Sequence, residues 1–360
     1  MKAIVMAAGK GTRLLPITAT RPKPMIPLLN EPIMDNMMSV LRNAGIDEAV
    51  ILVDYLSDRI VNHLGDGKRF GMKIDYTTDN IRRGTAGAVR YAAREMDEPF
   101  VVVSADVLTT IDLRKLIKAH EESDARITMA LSTVSDPSQY GVAILDGSNR
   151  ITRFQEKPRR EEAFSNLVNA GMYICDPEIV KMIPDNTPFD FSRDLFPRML
   201  SEGELIGGYA FDGYWNDVGL PSTYLGATRD MIEGRVEGHV SEITADEDEI
   251  TYGRIVTGSN CSISASVQID GFAVLGDNVV AGKNVRISHS IIYSNTLIGD
   301  NSVISDAIVG EGVILGRDVT LDEGVVIGDR TKIGEGSRIG HNIKIWVHSR
   351  LGPGTKMLHT

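Results

Sequence analysis

The stretch VMAAGKGTRLLPITATRPKPMIPL, residues 5–28, opens this 360-residue chain and decides how its first half is interpreted. It follows a short apolar run and contains closely spaced glycines, a lysine and an arginine, which are the components of a phosphate-binding loop. Its spacing matches neither the Walker pattern GxxxxGK[ST] nor the dinucleotide pattern GxGxxG. The stretch therefore predicts a phosphate site of another kind at the end of a first β-strand.

The backbone amides of the glycine-rich part are expected to line a nucleotide, because glycine lets the main chain approach phosphate oxygens closely. Arg13 and Lys23 would then neutralise a triphosphate. The prolines of the stretch limit its freedom, so that ordering it costs less conformational entropy. The residues predicted to contact the nucleotide here are Ala8, Gly9, Gly11, Thr12 and Arg13.

The composition indicates an ordinary globular protein with room for two domains. Apolar residues make up 42% of the chain and charged residues 24%, which is typical of such proteins. The formal net charge of -11 argues against a nucleic-acid-binding surface, because that surface needs clustered lysine and arginine. It does not exclude a local cationic pocket for a small anionic substrate.

No targeting segment or membrane span is expected. The first apolar run is too short for a signal peptide and leads directly into the glycine-rich stretch, and no run of about 18 apolar residues occurs. Cys175 and Cys261 form no metal-binding spacing. Because so few cysteines suit a reducing compartment, we expect a cytoplasmic protein.

Up to residue 232 the chain alternates short apolar runs with segments of helical spacing. This alternation predicts a Rossmann-like α/β domain, with a mostly parallel sheet and helices on both faces. Ligands of such sheets bind beyond the carboxyl ends of the strands, where the glycine-rich stretch lies. The predicted strands are 3–7, 49–53, 73–78, 100–106 and 126–133, and the predicted helices are 31–45, 55–65, 85–96 and 112–124.

The C-terminal part has a different period. After an acidic run, which predicts a solvated linker, one apolar position recurs every six residues, with two steps of five. Such a period predicts a parallel β-helix in which each hexad forms one face of a triangular coil and its apolar residue points inward. The recurring positions are Ile263, Ile269, Leu275, Ala281, Ile287, Ile292, Ile298, Ile304, Val309, Leu315, Leu321, Ile327, Ile333, Ile339, Ile345 and Leu351. We therefore predict an α/β domain over 1–232, an acidic linker over 233–252 and a β-helix over 253–360.

The segments AAGKGTRLLPIT and RPKPMIPL together resemble the signature of the sugar-1-phosphate nucleotidyltransferases, or nucleotide-sugar pyrophosphorylases. The mannose-1-phosphate guanylyltransferase-like members are the most similar, and the resemblance extends to the C-terminal hexapeptide β-helix, which winds left-handed in such proteins. It implies that a sugar 1-phosphate is joined to a nucleoside triphosphate, with release of pyrophosphate and with Mg2+ as cofactor. The attacking phosphate is already an anion, so positioning and electrostatics rather than a general base would carry the chemistry.

The resemblance also implies roles for residues outside the glycine-rich stretch. Asp106 in FVVVSADVL and Asp217 in GYWNDVGL match the magnesium-binding aspartates of the family. Lys157 would take the sugar phosphate and complete a cationic catalytic set with Arg13 and Lys23. The remaining implied contacts are those of Gly84 and Thr85 to the nucleobase and ribose, and those of Gly141, Glu156, Asn169 and Gly171 to the sugar. We also expect Thr85 to be the N-cap of its helix.

Asp79 is the residue expected to select the base. It precedes Gly84 by five residues, where guanylyltransferase-like relatives tend to place an acid and uridylyl- or thymidylyltransferase-like relatives a glutamine. A carboxylate can accept both adjacent donors of guanine, N1–H and the N2 amino group. GTP with mannose 1-phosphate, giving GDP-mannose, is the expected pair, and UTP or dTTP with glucose 1-phosphate is the alternative. An Asp79 that only ends a strand and points outward also stays open.

Two functions of other classes stay open as well. Hexapeptide β-helices often carry acyltransferase activity, and His289, His341 and His348 lie in the repeats, but no long insertion interrupts the hexads as a substrate-binding arm would. A regulatory homologue that only binds a nucleotide sugar would have lost part of the ionic set, which this chain keeps. A homo-oligomer is expected, with the β-helix forming an oligomer contact or supporting the catalytic domain.

Overall fold

The computed structural model describes residues 1–78, 83–236 and 253–358. The predicted linker falls largely outside these ranges, and the predicted domain boundaries at residues 232 and 252 stay predictions. Among the described residues, no helix is both long and apolar enough to cross a membrane.

The chain divides into two compact units that do not follow the order of the sequence. The sheet unit consists of Met1–Gly9 and Ile33–Trp215, and the coil unit consists of Lys10–Pro32 and Asn216–Thr360. Most of the glycine-rich stretch therefore packs in the same unit as the β-helix, although it follows the first strand of the sheet directly.

The elements before residue 237 follow the alternation predicted from the sequence. The strands are β1 Ala3–Met6, β2 Pro27–Leu28, β3 Glu31–Pro32, β4 Glu48–Val53, β5 Lys73–Thr78, β6 Phe100–Ser104, β7 Val107–Thr109, β8 Ile127–Thr133, β9 Gly141–Leu145, β10 Ile151–Glu156, β11 Leu167–Cys175, β12 Ile206–Ala210 and β13 Trp215–Asp217. The α-helices are α1 Ile33–Asn43, α2 Ser57–Leu64, α3 Gly84–Ala92, α4 Leu113–Glu121, α5 Ile179–Met182, α6 Phe196–Ser201 and α7 Pro221–Ile232.

The sheet unit is built on a mixed sheet with the strand order β10-β9-β11-β6-β1-β4-β5, in which β8 also pairs with β11 and β12 pairs with β8. The strands around β1 are parallel, with Ala3 in register with Ala49 of β4 and with Val101 of β6. In contrast, β11 runs antiparallel to β6, β8 and β9. The predicted Rossmann-like α/β class is confirmed, with an antiparallel region that the sequence pattern did not indicate.

A short turn explains part of this antiparallel region. Only residues 146–150 join β9 to β10, and so short a connection can link antiparallel but not parallel neighbours. In this turn Asp146 Oδ1 accepts the backbone N–H groups of Ser148 and Arg150, at 2.8 and 3.0 Å. The central parallel strand β1 is different because it is buried on both faces, as Ile4 and Val5 show.

The coil unit contains a parallel β-helix. Each strand pairs with the strand of the next coil, so that Ile263 is in register with Ala281 and Ala281 with Ile298. Its strands are β14 Gly253–Thr257, β15 Ser262–Ile263, β16 Gln268–Leu275, β17 Val280–Ala281, β18 Arg286–Ile292, β19 Leu297–Ile298, β20 Val303–Ser305, β21 Ile308–Val309, β22 Ile314–Leu315, β23 Thr320–Leu321, β24 Val326–Ile327, β25 Lys332–Ile333, β26 Arg338–Ile339, β27 Lys344–Ile345, β28 Arg350–Leu351 and β29 Lys356–Met357.

The recurring apolar side chains are buried as predicted, except at the two ends of the series. Ile263 is 37% exposed because β15 is the edge strand of its sheet, and Leu351 in one of the last coils is half-buried. All the others line the core of the β-helix. The hexad pattern therefore predicted the register of this region correctly.

A second buried row, two residues before the first, was not predicted. It is aliphatic at Val279 and Val285 but carries hydroxyl groups at Thr296 and Ser302, all of them fully buried. Thr296 Oγ1 and Ser302 Oγ each donate a hydrogen bond of 3.1 Å to a backbone carbonyl oxygen of a neighbouring coil. Because a buried hydroxyl needs a partner, these bonds explain how small polar residues fill inward positions.

Candidate active site

Three residues predicted from the sequence, two cations and one carboxylate, come together in the coil unit. Lys23 Nζ donates to Asp217 Oδ1 at 2.6 Å, and Arg13 Nη2 lies 3.6 Å from Asp217 Oδ2. The Lys23 side chain is only 7% exposed, whereas that of Asp217 is 23% and that of Arg13 45% exposed. The arginine is therefore accessible to an anionic ligand and the carboxylate to a cation, while the Lys23 ammonium group is buried and held by the carboxylate.

Two glycines allow this packing. Gly11 has a φ of 61°, in the left-handed region, and a Cβ there would lie 2.9 Å from Lys23 Cβ. A Cβ at Gly219 would lie 2.7 Å from Arg13 Nη2 and 3.2 Å from Asp217 Oδ2. A side chain at either position would displace one of the cations, so the two glycines keep both of them against the carboxylate.

The backbone around Lys23 is restrained by its own sequence. Pro22 and Pro24 flank the lysine, and each proline ring fixes its φ near -65°. Ile26 N donates to Lys23 O at 3.1 Å and closes a 3-10 turn. Residues 12–25 contain three such turns, Thr12–Leu14, Ile17–Ala19 and Lys23–Met25.

Gly9 differs from Gly11. It is exposed, its φ lies outside the left-handed region, and a Cβ built on it meets nothing within 4 Å. Neither backbone strain nor packing among the described residues therefore requires glycine here. Close approach of a ligand to the backbone is a reason that fits the free space after β1. Ala8 is half-buried and Thr12 exposed on either side of it.

In the sheet unit, Asp106 lies in the turn between β6 and β7, close to the end of β1. Ala105 N donates to Met6 O at 3.0 Å and extends the parallel ladder by one step. Asp106 therefore emerges at the carboxyl edge of the parallel strands, where such folds bind ligands. Gly171, with a φ of 73°, packs against the same edge, because a Cβ on it would lie 2.9 Å from Ser104 Oγ.

The residues predicted to bind the sugar phosphate form a second group in the sheet unit. Glu156 ends β10, and Lys157 follows it with a φ of 46° and with its Nζ 3.7 Å from Glu156 Oε1. Gly141 is directly opposite Glu156 in the register of β9 and β10. A Cβ on Gly141 would lie 2.4 Å from Phe154 Cζ and 3.0 Å from Glu156 Oε2, so the glycine leaves room for the phenylalanine ring and for that carboxylate.

Asn169 and Gly171 lie in a bulge of β11, where the register with β8 shifts between Asn169 and Tyr173. Asn169 Nδ2 donates to Tyr173 OH at 2.8 Å, and its Oδ1 accepts Gly171 N at 2.9 Å. Bulges commonly redirect side chains near functional sites. The amide of Asn169 is thus fixed in orientation at the point where the strand departs from regular pairing.

Gly84 and Thr85 begin α3, but the expected N-cap is wrong. The helix begins at Gly84, so its N-cap is Arg83 and Thr85 lies inside the first turn. Thr85 Oγ1 donates to Asp190 Oδ1 at 2.9 Å and accepts the backbone N–H of Phe191 at 3.1 Å. The hydroxyl therefore joins the helix to the segment after α5 instead of capping it. Asp79, the predicted base-selecting residue, lies outside the described residues.

The sequence matches the family model described as nucleotidyl transferase over residues 2–234. This chain belongs to that family. Its relatives in the nucleotidyl transferase family include a UTP–glucose-1-phosphate uridylyltransferase of Synechocystis sp., 35% identical over 291 residues, which are 77% of this chain and 74% of the relative. They also include a mannose-1-phosphate guanylyltransferase of Mycobacterium tuberculosis, 30% identical over 290 residues, which are 77% of this chain and 80% of the relative. The predicted sugar-1-phosphate nucleotidyltransferase family is confirmed.

The C-terminal part of this nucleotidyl transferase matches the model of the EIF2B subunit epsilon LbH domain over residues 240–346. The predicted left-handed β-helix is thereby confirmed. Among solved structures, HddC from Yersinia pseudotuberculosis has a TM-score of 0.56 and 24% identity over 64% of this chain and 98% of its own. At that identity the likeness shows the fold alone.

Sequence reasoning missed two residues, Arg21 and Asp329, that hold the segment around Lys23 in place. Arg21 belongs to the same Arg-Pro-Lys-Pro run as Lys23, and Asp329 follows a glycine at a corner of the hexads. Arg21 Nη2 donates to Asp329 Oδ2 at 2.6 Å. The Gly-Asp corner is a local signal for Asp329, but a pairing across more than 300 residues of sequence has no local signal.

Proposed function

We propose that this nucleotidyl transferase forms GDP-mannose and pyrophosphate from GTP and mannose 1-phosphate. The observation that carries the proposal is the cluster in which Lys23 and Arg13 flank the accessible Asp217 carboxylate. In a chain of this family, two cations beside one carboxylate suit a triphosphate that arrives with a divalent metal ion.

In the proposed reaction, an oxygen of the sugar phosphate attacks the α-phosphorus of GTP and forms the new P–O bond. The bond from the α-phosphorus to the bridging oxygen of the β-phosphate breaks, and pyrophosphate leaves with that electron pair. No proton has to move, so the protein needs to align two polyanions and to balance their charge. Arg13 and Lys23 would do so at the triphosphate and at the departing pyrophosphate.

The attacking sugar phosphate would be held by the group in the sheet unit. Lys157 would bind its phosphate, Glu156 would accept hydrogen bonds from sugar hydroxyls, and Asn169 would donate to a sugar hydroxyl or accept from one. The fixed amide of Asn169 and the close approach of the Glu156 carboxylate to Gly141 support this assignment. Gly171, at the bulge, would let the sugar approach the backbone closely.

Magnesium is the proposed cofactor, with Asp106 and Asp217 as its carboxylate ligands. Mg2+ in phosphate-transfer sites commonly uses one or two carboxylates and completes its shell with water and substrate phosphate oxygens. The partial exposure of Asp217 and the position of Asp106 at the carboxyl edge of the sheet suit such a site. Across the described ranges, no cluster of three or more His, Cys, Asp or Glu side chains suits an all-protein site. Bound magnesium would neutralise and orient phosphate oxygens.

One observation favours a second candidate, UTP or dTTP with glucose 1-phosphate. The relative with 35% identity is named a uridylyltransferase. Against it stands the acid at Asp79, because uracil and thymine would place carbonyl oxygens against the same negative charge. We therefore rank the guanine nucleotide first.

A substrate matrix tests the proposal. The common nucleoside triphosphates are combined with mannose, glucose and galactose 1-phosphates at saturating magnesium, and pyrophosphate release is measured. We expect the highest kcat/KM for GTP with mannose 1-phosphate. A maximum for UTP or dTTP with glucose 1-phosphate would replace it by the second candidate. Binding of GDP-mannose without pyrophosphate release from any pair would favour the regulatory homologue, and consumption of acetyl-coenzyme A would favour an acyltransferase.

We also propose a cytoplasmic homo-oligomer. The free thiols of Cys175 and Cys261 suit a reducing compartment. Light scattering coupled to size exclusion would measure the assembly, and a monomeric mass over the whole concentration range would contradict it.

A further inference from the structure

A buried ion pair anchors the Lys23 segment to the β-helix within the coil unit. Arg21 Nη2 donates to Asp329 Oδ2 at 2.6 Å and to Glu311 Oε2 at 3.2 Å. Its guanidinium also lies over the ring of Tyr293, 4.6 Å from the centroid. The side chains of Arg21 and Asp329 are 9% and 6% exposed. An arginine buried to this degree stays with its partner, because separation would leave an uncompensated buried charge.

Asp329 uses both of its carboxylate oxygens. Oδ1 accepts the backbone N–H of Glu311, one coil earlier, at 2.8 Å, and Oδ2 accepts both Arg21 Nη2 and Thr20 Oγ1, the latter at 2.5 Å. Asp277, in the same kind of Gly-Asp corner, makes the first type of bond, at 2.7 Å. The bond from Oδ1 to a backbone N–H shapes the corner of a coil in both aspartates. Asp329 differs from Asp277 in that its Oδ2 accepts hydrogen bonds from Arg21 and Thr20.

Further contacts fix the chain on the C-terminal side of Lys23, at Pro27 and Asn30. Tyr224 OH donates to Pro27 O and lies 3.1 Å from Tyr293 OH. Burial raises the pKa of Tyr293 to about 12, so its phenol is neutral and its contact with the arginine is a cation–π interaction. Asn30 Nδ2 donates to Leu275 O of the β-helix at 2.9 Å. The segment is thus held on both sides of Lys23.

Only Pro22 separates Arg21 from Lys23, and its φ of -68° and ψ of 151° define the connection. Because the proline ring fixes φ, little freedom remains between the buried guanidinium and the lysine backbone. A shift of Arg21 is therefore transmitted to Lys23, whose ammonium group is 2.6 Å from Asp217 Oδ1.

We propose that Asp329 is a positioning residue for nucleotidyl transfer. By holding Arg21 and Thr20, it sets the place of Lys23 at the triphosphate without touching substrate itself. The role of Lys23 as a triphosphate ligand rests on the proposed function, whereas the anchoring of its segment does not. The β-helix then contributes to turnover through a residue more than 300 positions away from the lysine that it places.

The test is Asp329→Asn in the full-length protein, with Asp277→Asn as the matched control. The asparagine can still accept the Glu311 N–H, but its amide group would oppose the donors Arg21 and Thr20. We expect KM for the nucleoside triphosphate to rise and kcat to fall, together a roughly hundredfold loss of kcat/KM. KM for the sugar 1-phosphate should stay unchanged, and Asp277→Asn should behave as wild type. A fall in kcat with both KM values unchanged would indicate a smaller active fraction and would overturn the proposal.

A second variant and a second measurement keep the test decisive. Thr20→Val removes one donor to the same oxygen and should raise KM for the triphosphate in the same direction but less, so an unchanged KM counts against Asp329 even if Asp329→Asn does not fold. Hydrogen exchange without substrate should accelerate at Met25 N and Ile26 N, which close the turn around Lys23, in Asp329→Asn but not in Asp277→Asn. Equal exchange in the two variants would refute the anchoring. A wild type inactive with every substrate pair would refute only the proposed function.

Discussion

Arg21 and Lys23 lie two residues apart in the same Arg-Pro-Lys-Pro run. Each pairs with an aspartate, but the two aspartates differ in exposure. The partner of Lys23, Asp217, is 23% exposed, whereas the partner of Arg21, Asp329, is 6% exposed and has both carboxylate oxygens engaged. An accessible carboxylate can change partners when a phosphate or a metal ion arrives. A buried one with every oxygen bonded cannot do so without leaving a charge uncompensated.

Both pairs join a cation to an aspartate, yet we assign them different roles, because only one of the two aspartates is accessible. We assign the pair with the accessible carboxylate, Lys23–Asp217, to ligand binding and the pair with the buried carboxylate, Arg21–Asp329, to the placement of the lysine. The sequence alone shows an arginine and a lysine in Arg-Pro-Lys-Pro, with nothing that separates the two roles. The main effect of a substitution at Asp217 should therefore be on turnover, and the main effect of a substitution at Arg21 should be on the free energy of unfolding.

The largest effect is expected at the exposed carboxylates. Asp217→Asn and Asp106→Asn each remove a proposed magnesium ligand, which supplies several kcal/mol of charge stabilisation, so turnover should fall by more than about a thousandfold. The free energy of unfolding should change by no more than about 0.5 kcal/mol in Asp106→Asn, because that side chain is only partly buried. It should fall by more in Asp217→Asn, because the 7% exposed Lys23 side chain would lose its carboxylate partner. Pyrophosphate release and chemical denaturation measure the two quantities. Near-normal turnover of either variant at saturating magnesium would remove that residue from the metal site.

The pair with the buried carboxylate, Arg21 and Asp329, should contribute more to stability than the contact of Arg13 with Asp217. Arg21→Met leaves Asp329 buried without its main cation, which should lower the free energy of unfolding by about 3–5 kcal/mol. Arg13→Met is the matched control, because it removes an arginine that faces Asp217 at 3.6 Å from a 45% exposed position, and it should cost about 0–1 kcal/mol. Denaturant midpoints at an unchanged m-value compare the two. Equal losses would mean that the burial of Arg21 does not make its pair the more important one for stability.

Base selection should give an intermediate effect. Asp79→Gln exchanges a carboxylate that suits the two donors of guanine for an amide that can both donate and accept, so the ratio of kcat/KM for GTP to that for UTP should fall about tenfold to a hundredfold. Asp75→Asn, at an exposed position of β5 four residues before Asp79, is the control and should leave the ratio unchanged. A wild-type preference for UTP or dTTP, or an unaltered ratio in Asp79→Gln, would mean that Asp79 does not select the base.

The parts that could be predicted from the sequence are those with a local period. The hexads predicted the inward residues from Ile269 to Ile345, because each inward side chain is set by a fixed spacing along its own chain. The signature residues Arg13, Lys23 and Asp217 were expected at one site, and the structure brings them together. The antiparallel pairing of β11 depends on distant partners and was not foreseen.

Long-range contacts account for most of what was missed. The Arg21–Asp329 pair joins residues that are remote in sequence, and nothing beside either one indicates the other. The hydroxyl of Thr85 was expected as a helix cap, which is a local role, but bonds Asp190 instead. In both cases a local pattern identified the residue type, and tertiary packing decided its partner.

The smallest effects should separate two glycines of the same loop. Gly11→Ala places a side chain at a φ of 61° and 2.9 Å from Lys23 Cβ, so it should cost about 1–2 kcal/mol of stability from the backbone conformation alone and disturb the lysine as well. Gly9→Ala meets nothing within 4 Å, so its stability should stay within about 0.5 kcal/mol of wild type. If Gly9 is glycine so that phosphate can approach the backbone, its added methyl group should still raise KM for the triphosphate, by about tenfold for the loss of one charge-assisted hydrogen bond. A Gly9→Ala protein with unchanged stability and unchanged KM would show that phosphate does not approach the backbone at this position, and would remove Gly9 from the predicted nucleotide contacts.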